Sequence, residues 1–273
     1  MGRLKHILPL AAILLNCITA SAAADTTLQL IPVKTITGTY KDFYIDNLNN
    51  IYLVNQNNQV KKMSDKYDSI AVFNDTRRYG DIYSLDVSNP LKLIVYYKDF
   101  NTILVLDRFL NIRNIVDLRK YNILQAKAVA QSYDNNYWVF DELDNKIKKI
   151  DDNGNMLLES ADFRVLFQEQ YNPQQLIDDN GFLYLYDFKN GWLEFDYYGA
   201  FKQRIQLPGW KDVQVADGRL TGHDDAFIYF ANPKALDIRQ VKPGINLKDV
   251  IKLQKKAGKM YVLTMQGLSI YSL

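Results

Sequence analysis

Asp178-Asp179-Asn180-Gly181-Phe182-Leu183-Tyr184-Leu185-Tyr186 is a polar turn followed at once by an apolar, aromatic strand. Asn-Gly is the strongest short hairpin signal, because both residues accept the positive φ that a tight two-residue turn requires. The run after it, rich in Tyr, Phe and Leu, suits a pleated surface. Neighbouring residues complete a four-strand unit: 175–178 as the inner strand, 182–186 as the second, 192–197 as the third and 201–207 as the outer edge, with Asn190-Gly191 at a further turn.

The phrase recurs. Asp46-Asn47-Leu48-Asn49-Asn50 precedes Ile51-Tyr52-Leu53-Val54, and Tyr133-Asp134-Asn135-Asn136 precedes Tyr137-Trp138-Val139-Phe140. Weaker copies lie at 93–97, 227–230 and 260–263. Anchored on Ile51, Leu93, Tyr137, Phe182, Phe227 and Met260, the steps are 42, 44, 45, 45 and 33 residues. A period of about 40–45 residues with strands in every unit is the signature of propeller blades. The third unit repeats the layout with strands at 128–131, 137–140, 146–150 and 155–158. The fifth is the irregular one, interrupted over 219–225. The last unit, ending with 268–273, is one strand short, and the strand-like run 28–36 belongs to no unit. The chain is therefore expected to be all-β, a six-bladed β-propeller closed by its N-terminal strand, which removes an open sheet edge.

The carboxylates agree: four of the 31 are Glu and the other 27 Asp, and Asp favours turns where Glu favours helices. Two connectors carry short helical signals, 161–167 after Ser160 and 118–122 after Asp117.

Residues 1–24 have the form of a signal peptide, with Arg3 and Lys5, an apolar stretch over 7–18 and small residues at 20–24. Residues 25–273 then form a single propeller domain. The stretch is shorter than the roughly 20 residues of a spanning helix. Without it the chain has equal numbers of basic and acidic residues and no cysteine. That excludes a disulfide scaffold and gives no support to nucleic-acid binding. Leu14-Leu15-Asn16-Cys17 also resembles a bacterial lipoprotein box, and a lipid on Cys17 would be the one membrane anchor. The expected location is periplasmic or outer-membrane associated.

By blade period and turn phrasing, nearly the whole of 25–273 resembles the six-bladed propellers of the NHL and TolB-like group. That resemblance implies a fold that serves scaffolds, ligand binders, lactonases and other enzymes, and so does not choose among them. The lactonase-like members imply calcium in the central channel, for which Asp46, Asp86, Asp178 and Asp217 are the candidates; all four are also natural turn residues. Asp151-Asp152-Asn153-Gly154-Asn155 lacks the ligand alternation of a calcium loop. His223 is the single histidine after residue 24 and is expected in a solvated hairpin turn. No catalytic constellation is legible, and no cofactor is expected unless the calcium reading holds. Tyr52, Trp138, Tyr184 and Tyr229 recur at matching places and are expected to pack between sheets rather than to stack on sugars.

The functional signal is in the segments joining one unit to the next, where Arg or Lys recurs beside an aromatic: Arg77-Arg78-Tyr79, Arg119-Lys120-Tyr121, Arg164 with Tyr171, and Trp210-Lys211. Arg, Tyr and Trp are enriched at the energetic centres of interfaces, and Arg engages carboxylates bidentately. These ten residues are expected to form a face that binds a protein partner or anionic ligand, on a chain monomeric by itself, with an outer-membrane or envelope complex as the expected setting. The plain alternative is that the aromatics pack between blades while the cations reach into solvent. A calcium-dependent hydrolase or lactonase, and a carbohydrate-binding module using Trp210 or Tyr121, are the alternative functions.

Overall fold

In the computed structural model, which describes residues 27–74 and 78–273, six small sheets follow one another along the chain. The first four are antiparallel meanders in chain order, such as Gln175–Asp179, Phe182–Asp187, Gly191–Asp196 and Phe201–Ile205 in blade four. In blade six, Lys252–Lys256, Lys259–Thr264 and Gly267–Ser272 come from the C-terminus, and Ile31–Thr37 pairs antiparallel with the last of them. The N-terminal strand thus closes the ring. The preceding Thr27–Leu28 does something the sequence does not announce: it runs parallel to Asp237–Pro243 on the outer edge of blade five. The N-terminal run is a strap across two blades. The leader and Cys17 lie outside the described residues.

Each strand of a blade interior buries both faces. In Thr102–Asp107, Leu104 and Leu106 enter the cluster shared with blade one, while Ile103 and Val105 enter the cluster shared with blade three. Period-2 alternation therefore reads as an unbroken apolar run, because each sheet is covered on both sides. Six clusters result, one at each seam. Tyr52, Trp138 and Tyr184 are buried in them as the sequence predicts.

Turn chemistry is repeated as faithfully. Asp107, Asp151 and Asp196 each open a third-to-fourth-strand turn and accept N–H groups two and four residues on, at 2.8–2.9 Å. The residue three places on, Leu110, Gly154 or Gly199, takes positive φ. Asp46 does the same for a first-to-second-strand turn and also accepts the Tyr52 hydroxyl. Asp151-Asp152-Asn153-Gly154-Asn155 is such a turn.

Two sequence expectations are corrected. The 219–225 stretch is not an interruption: Arg219–His223 is the second strand of blade five, and Phe227 precedes the third. Anchoring that blade on Leu220 makes the last two steps 38 and 40 residues, so the 33-residue step marked a misplaced anchor. Tyr229 consequently sits on a third strand, out of register with the other three aromatics. The second helix is Phe163–Phe167, capped by Asp162 rather than Ser160, whereas Asp117 caps Leu118–Tyr121 as expected.

Candidate functional site

In a four-strand meander the second-to-third-strand turn and the connector to the next blade emerge at the same end, so six blades gather both sets on one face. Asparagines at the repeat period tie them together. Asn58, Asn101 and Asn145, at φ +60°, +50° and +54°, sit in the turns of blades one to three and are buried. Asn58 accepts from the Ile82 N–H at 3.3 Å and donates to Asp81. Asn101 accepts from the Ala126 N–H at 3.0 Å and donates to the Ile123 carbonyl. The Asn145 backbone carbonyl accepts the Phe163 N–H at 2.9 Å. Left-handed φ and a short amide are the pairing Asn provides best. The spacing of 43 and 44 residues was present in the sequence and escaped notice.

Two connectors share an Asp-apolar-Arg motif. Asp117 and Asp162 each cap the N–H of an Arg two residues on, at 3.2 and 2.8 Å. Each Arg then folds its guanidinium back onto the same carboxylate through two nitrogens. Between them Leu118 and Phe163 are inaccessible knobs in the seams. The hydrogen bonds with Arg119 and Arg164 hold the Asp117 and Asp162 carboxyls below their usual range.

The ten residues of the sequence signal separate by chemistry. Arg78, Arg119, Lys120, Arg164 and Lys211 are exposed, with Arg78 over the Tyr79 ring at 5.4 Å and Lys211 paired with Asp225 at 2.5 Å. Tyr79, Tyr171 and Trp210 are buried. Tyr79 lies against Tyr97, Tyr171 against Phe163 and Phe167, and Trp210 stacks on Tyr229 at 5.1 Å. Tyr121 is half-buried over Gly154. Arg77 lies outside the described residues. The cations therefore share the face, while these aromatic rings fill seams and, with Trp210 buried, offer no stacking platform there.

What the sequence reading missed on this face is apolar. Phe100, Leu143 and Phe188 project from the turns of blades two, three and four, and Leu124, Val165 and Leu166 from the connectors beside them. Val165 is 77% exposed although it lies on a helix whose Phe163 is inaccessible. The signal was the apolar residue just before each turn asparagine: Phe100-Asn101, Leu143-Asp144-Asn145, Phe188-Lys189-Asn190.

A cavity of about 1410 Å³ runs along the outer strands of blade five and takes in the channel, which is lined by the inner strands of all six blades. Side chains staple those strands across every seam. Asn47 donates to the Ser88 carbonyl, Asp86 accepts the Gln131 N–H, and Asp178 accepts Ser132, Tyr133 and Trp138. Asp179 accepts the Gly218 N–H, Asp212 the Leu253 N–H and Asp42 the Lys252 ammonium. Burial pushes the Asp178 carboxyl up, against the lowering effect of the donors around it. Of the four calcium candidates, Asp46, Asp86 and Asp178 are thus committed to turns and staples, and Asp217 lies at the Gly218 turn, with Asn180 donating to it at 3.3 Å. Among the described residues no group of three or more His, Cys, Asp or Glu side chains is placed to hold a metal ion. His223 is not in a solvated turn: it ends a strand and is 2% exposed, paired with Asp212 at 2.8 Å.

No family model matches this chain, and no curated protein matches it in sequence. Solved structures do resemble it in fold. Virginiamycin B lyase from Staphylococcus aureus superposes with a TM-score of 0.61 at 11% identity, covering 90% of this chain and 99% of that one. A streptogramin B lyase gives 0.59 at 15%, covering 85% and 78%. BamB from Moraxella catarrhalis gives 0.50 at 10%, covering 90% and 94%. The sheet order defines the chain as a six-bladed β-propeller. At such identities the likeness is one of fold alone.

Proposed function

We propose that this protein is an exported, non-enzymatic propeller of the bacterial cell envelope that holds a protein partner on the connector face of blades two to four. One observation carries the reading: exposed apolar side chains recur beside the clamped turns, and self-paired Arg–Asp motifs stand among them. Apolar residues with a polar rim are the anatomy of a protein interface. Because Arg119 and Arg164 are each neutralised by their own Asp, these two motifs supply directional hydrogen bonds rather than net charge, which suits a protein surface.

The test is affinity purification of the tagged protein from its native envelope after crosslinking, beside a Leu143→Ser/Val165→Ser variant. A stoichiometric partner that is lost in the variant, at unchanged melting temperature, is the expected result. A monomer with no partner, or retention by the variant, would overturn the reading. Intact mass of the mature chain tests export, with cleavage after residue 24 expected and a lipidated Cys17 the competing result. No resident metal is part of this proposal, and added calcium should leave the melting temperature unchanged.

A further inference from the structure

Among the described residues the seam between blades five and six has the thinnest apolar core, five buried side chains against fourteen between blades one and two. A polar device bridges it. His223 Nε2 lies 2.8 Å from Asp212 Oδ2, and Nδ1 lies 2.9 Å from the Asp224 carbonyl oxygen. With Asp212 ionised both neighbours can only accept, so the geometry calls for a proton on each ring nitrogen, whereas a neutral imidazole carries one. The same Asp212 oxygen accepts the Leu253 N–H of blade six at 2.7 Å. Asp212 reaches both from a left-handed backbone, φ +50°, that non-glycine residues seldom adopt.

The other charged groups nearby have partners of their own. Lys211 pairs with Asp225, the Asp224 carboxylate accepts the Tyr229 hydroxyl at 2.6 Å, and Lys252 of blade six reaches Asp42 at 2.6 Å. The Asp224 carboxylate keeps its charge, so the imidazolium faces two carboxylates, Asp212 in direct contact and Asp224 beside it. On the outside of the ring the strap passes from blade five to blade six over this seam.

We propose that His223 and Asp212 form a proton-dependent latch of the ring: the imidazolium holds Asp212 where it caps blade six, and loss of the proton to solvent releases it. Burial opposes the charge, but the Asp212 carboxylate and the Asp224 carbonyl overcome it and raise the imidazole above its ordinary pKa. The sign follows. A group with a raised folded pKa contributes fully below its unfolded value, about 6.5, and the contribution is lost as pH rises through the folded value. The latch is thus closed in mild acid and loosens in alkali. It is independent of the partner face on blades two to four.

The test uses the full chain with His6→Gln, leaving His223 as the single imidazole. Nitrogen-15 NMR should show both ring nitrogens protonated at pH 7. The melting temperature should fall between pH 6.5 and 9, and this fall should vanish in His223→Gln. Exchange of the Leu253 amide should accelerate across that range by at least tenfold beyond the intrinsic effect of hydroxide. A neutral ring at pH 6.5 would overturn the proposal, as would an unchanged pH slope in the variant. If that variant does not fold, the NMR titration alone decides.

Discussion

Trp138 of blade three donates its indole N–H to the Asp178 carboxylate of blade four at 3.0 Å. The bulkiest buried side chain of one blade is thereby registered by the inner strand of the next. Tyr197 adds its hydroxyl to the other carboxylate oxygen at 3.2 Å, so a carboxylate that the sequence offers both as a turn residue and as a calcium ligand serves here as a structural acceptor.

Asp178→Ala should therefore cost about 2–4 kcal/mol in urea unfolding, because it leaves the buried Trp138 indole N–H and Ser132 hydroxyl without their acceptor. Asp178→Asn keeps an acceptor for Trp138 and should cost less than about 1.5 kcal/mol. With its folded pKa raised, Asp178 stabilises most below its unfolded value of about 4, and that contribution is lost as pH rises through the folded value. The Asn variant should lack this slope between pH 4 and 6. An equal slope in both proteins would show that Asp178 is not its source.

The Asp-apolar-Arg motif divides its labour. Phe163 is inaccessible, stacked on Phe195 at 5.3 Å and met edge-on by Phe167 and Tyr171. Phe163→Ala should cost about 3–5 kcal/mol. Arg164→Ala should leave the unfolding midpoint essentially where it is, since an exposed pair contributes little. Partner retention measured on the same Arg164 variant reports whether the rim contributes to binding.

Asn101 is the clearest of the clamps. Asn101→Ala strands the Ala126 N–H and the Ile123 carbonyl and places alanine at φ +50°. A loss of about 2–4 kcal/mol is expected. Hydrogen exchange should localise the loosening to the connector over 118–126. Uniform loosening across the ring would contradict the clamp.

Gly267 lies where the strap docks. A Cβ there would stand 2.3 Å from the Ile36 carbonyl oxygen, and its φ of +134° already favours glycine. Gly267→Ala should cost more than about 2 kcal/mol and expose residues 31–37 to limited proteolysis. Wild-type resistance in the variant would mean that closure does not depend on this contact.

Much of the fold was legible because its determinants are local. Asp107 and Asp151 bond N–H groups two and four residues away, so their turns are written in five consecutive letters. Strands buried on both faces announce themselves as apolar runs, and the missing last strand announced the closure. Blade five escaped for a local reason as well: Arg219-Leu220-Thr221-Gly222-His223 has one large apolar residue among small, polar and charged ones, so the stronger run after it took its place in the count.

The face was half legible. Sequence determined that a cation and an aromatic recur in the connectors, since composition and spacing are properties of the chain. Only tertiary structure decided that Tyr171 and Trp210 turn into seams, that Val165 and Leu143 stay outside, and that His223 meets Asp212 and the edge of blade six. The physical reason is that burial is set by atoms far away in sequence. A Tyr is equally at home in a seam or on a surface until the neighbouring blade arrives, and a buried imidazole keeps its second proton only where two acceptors converge on it.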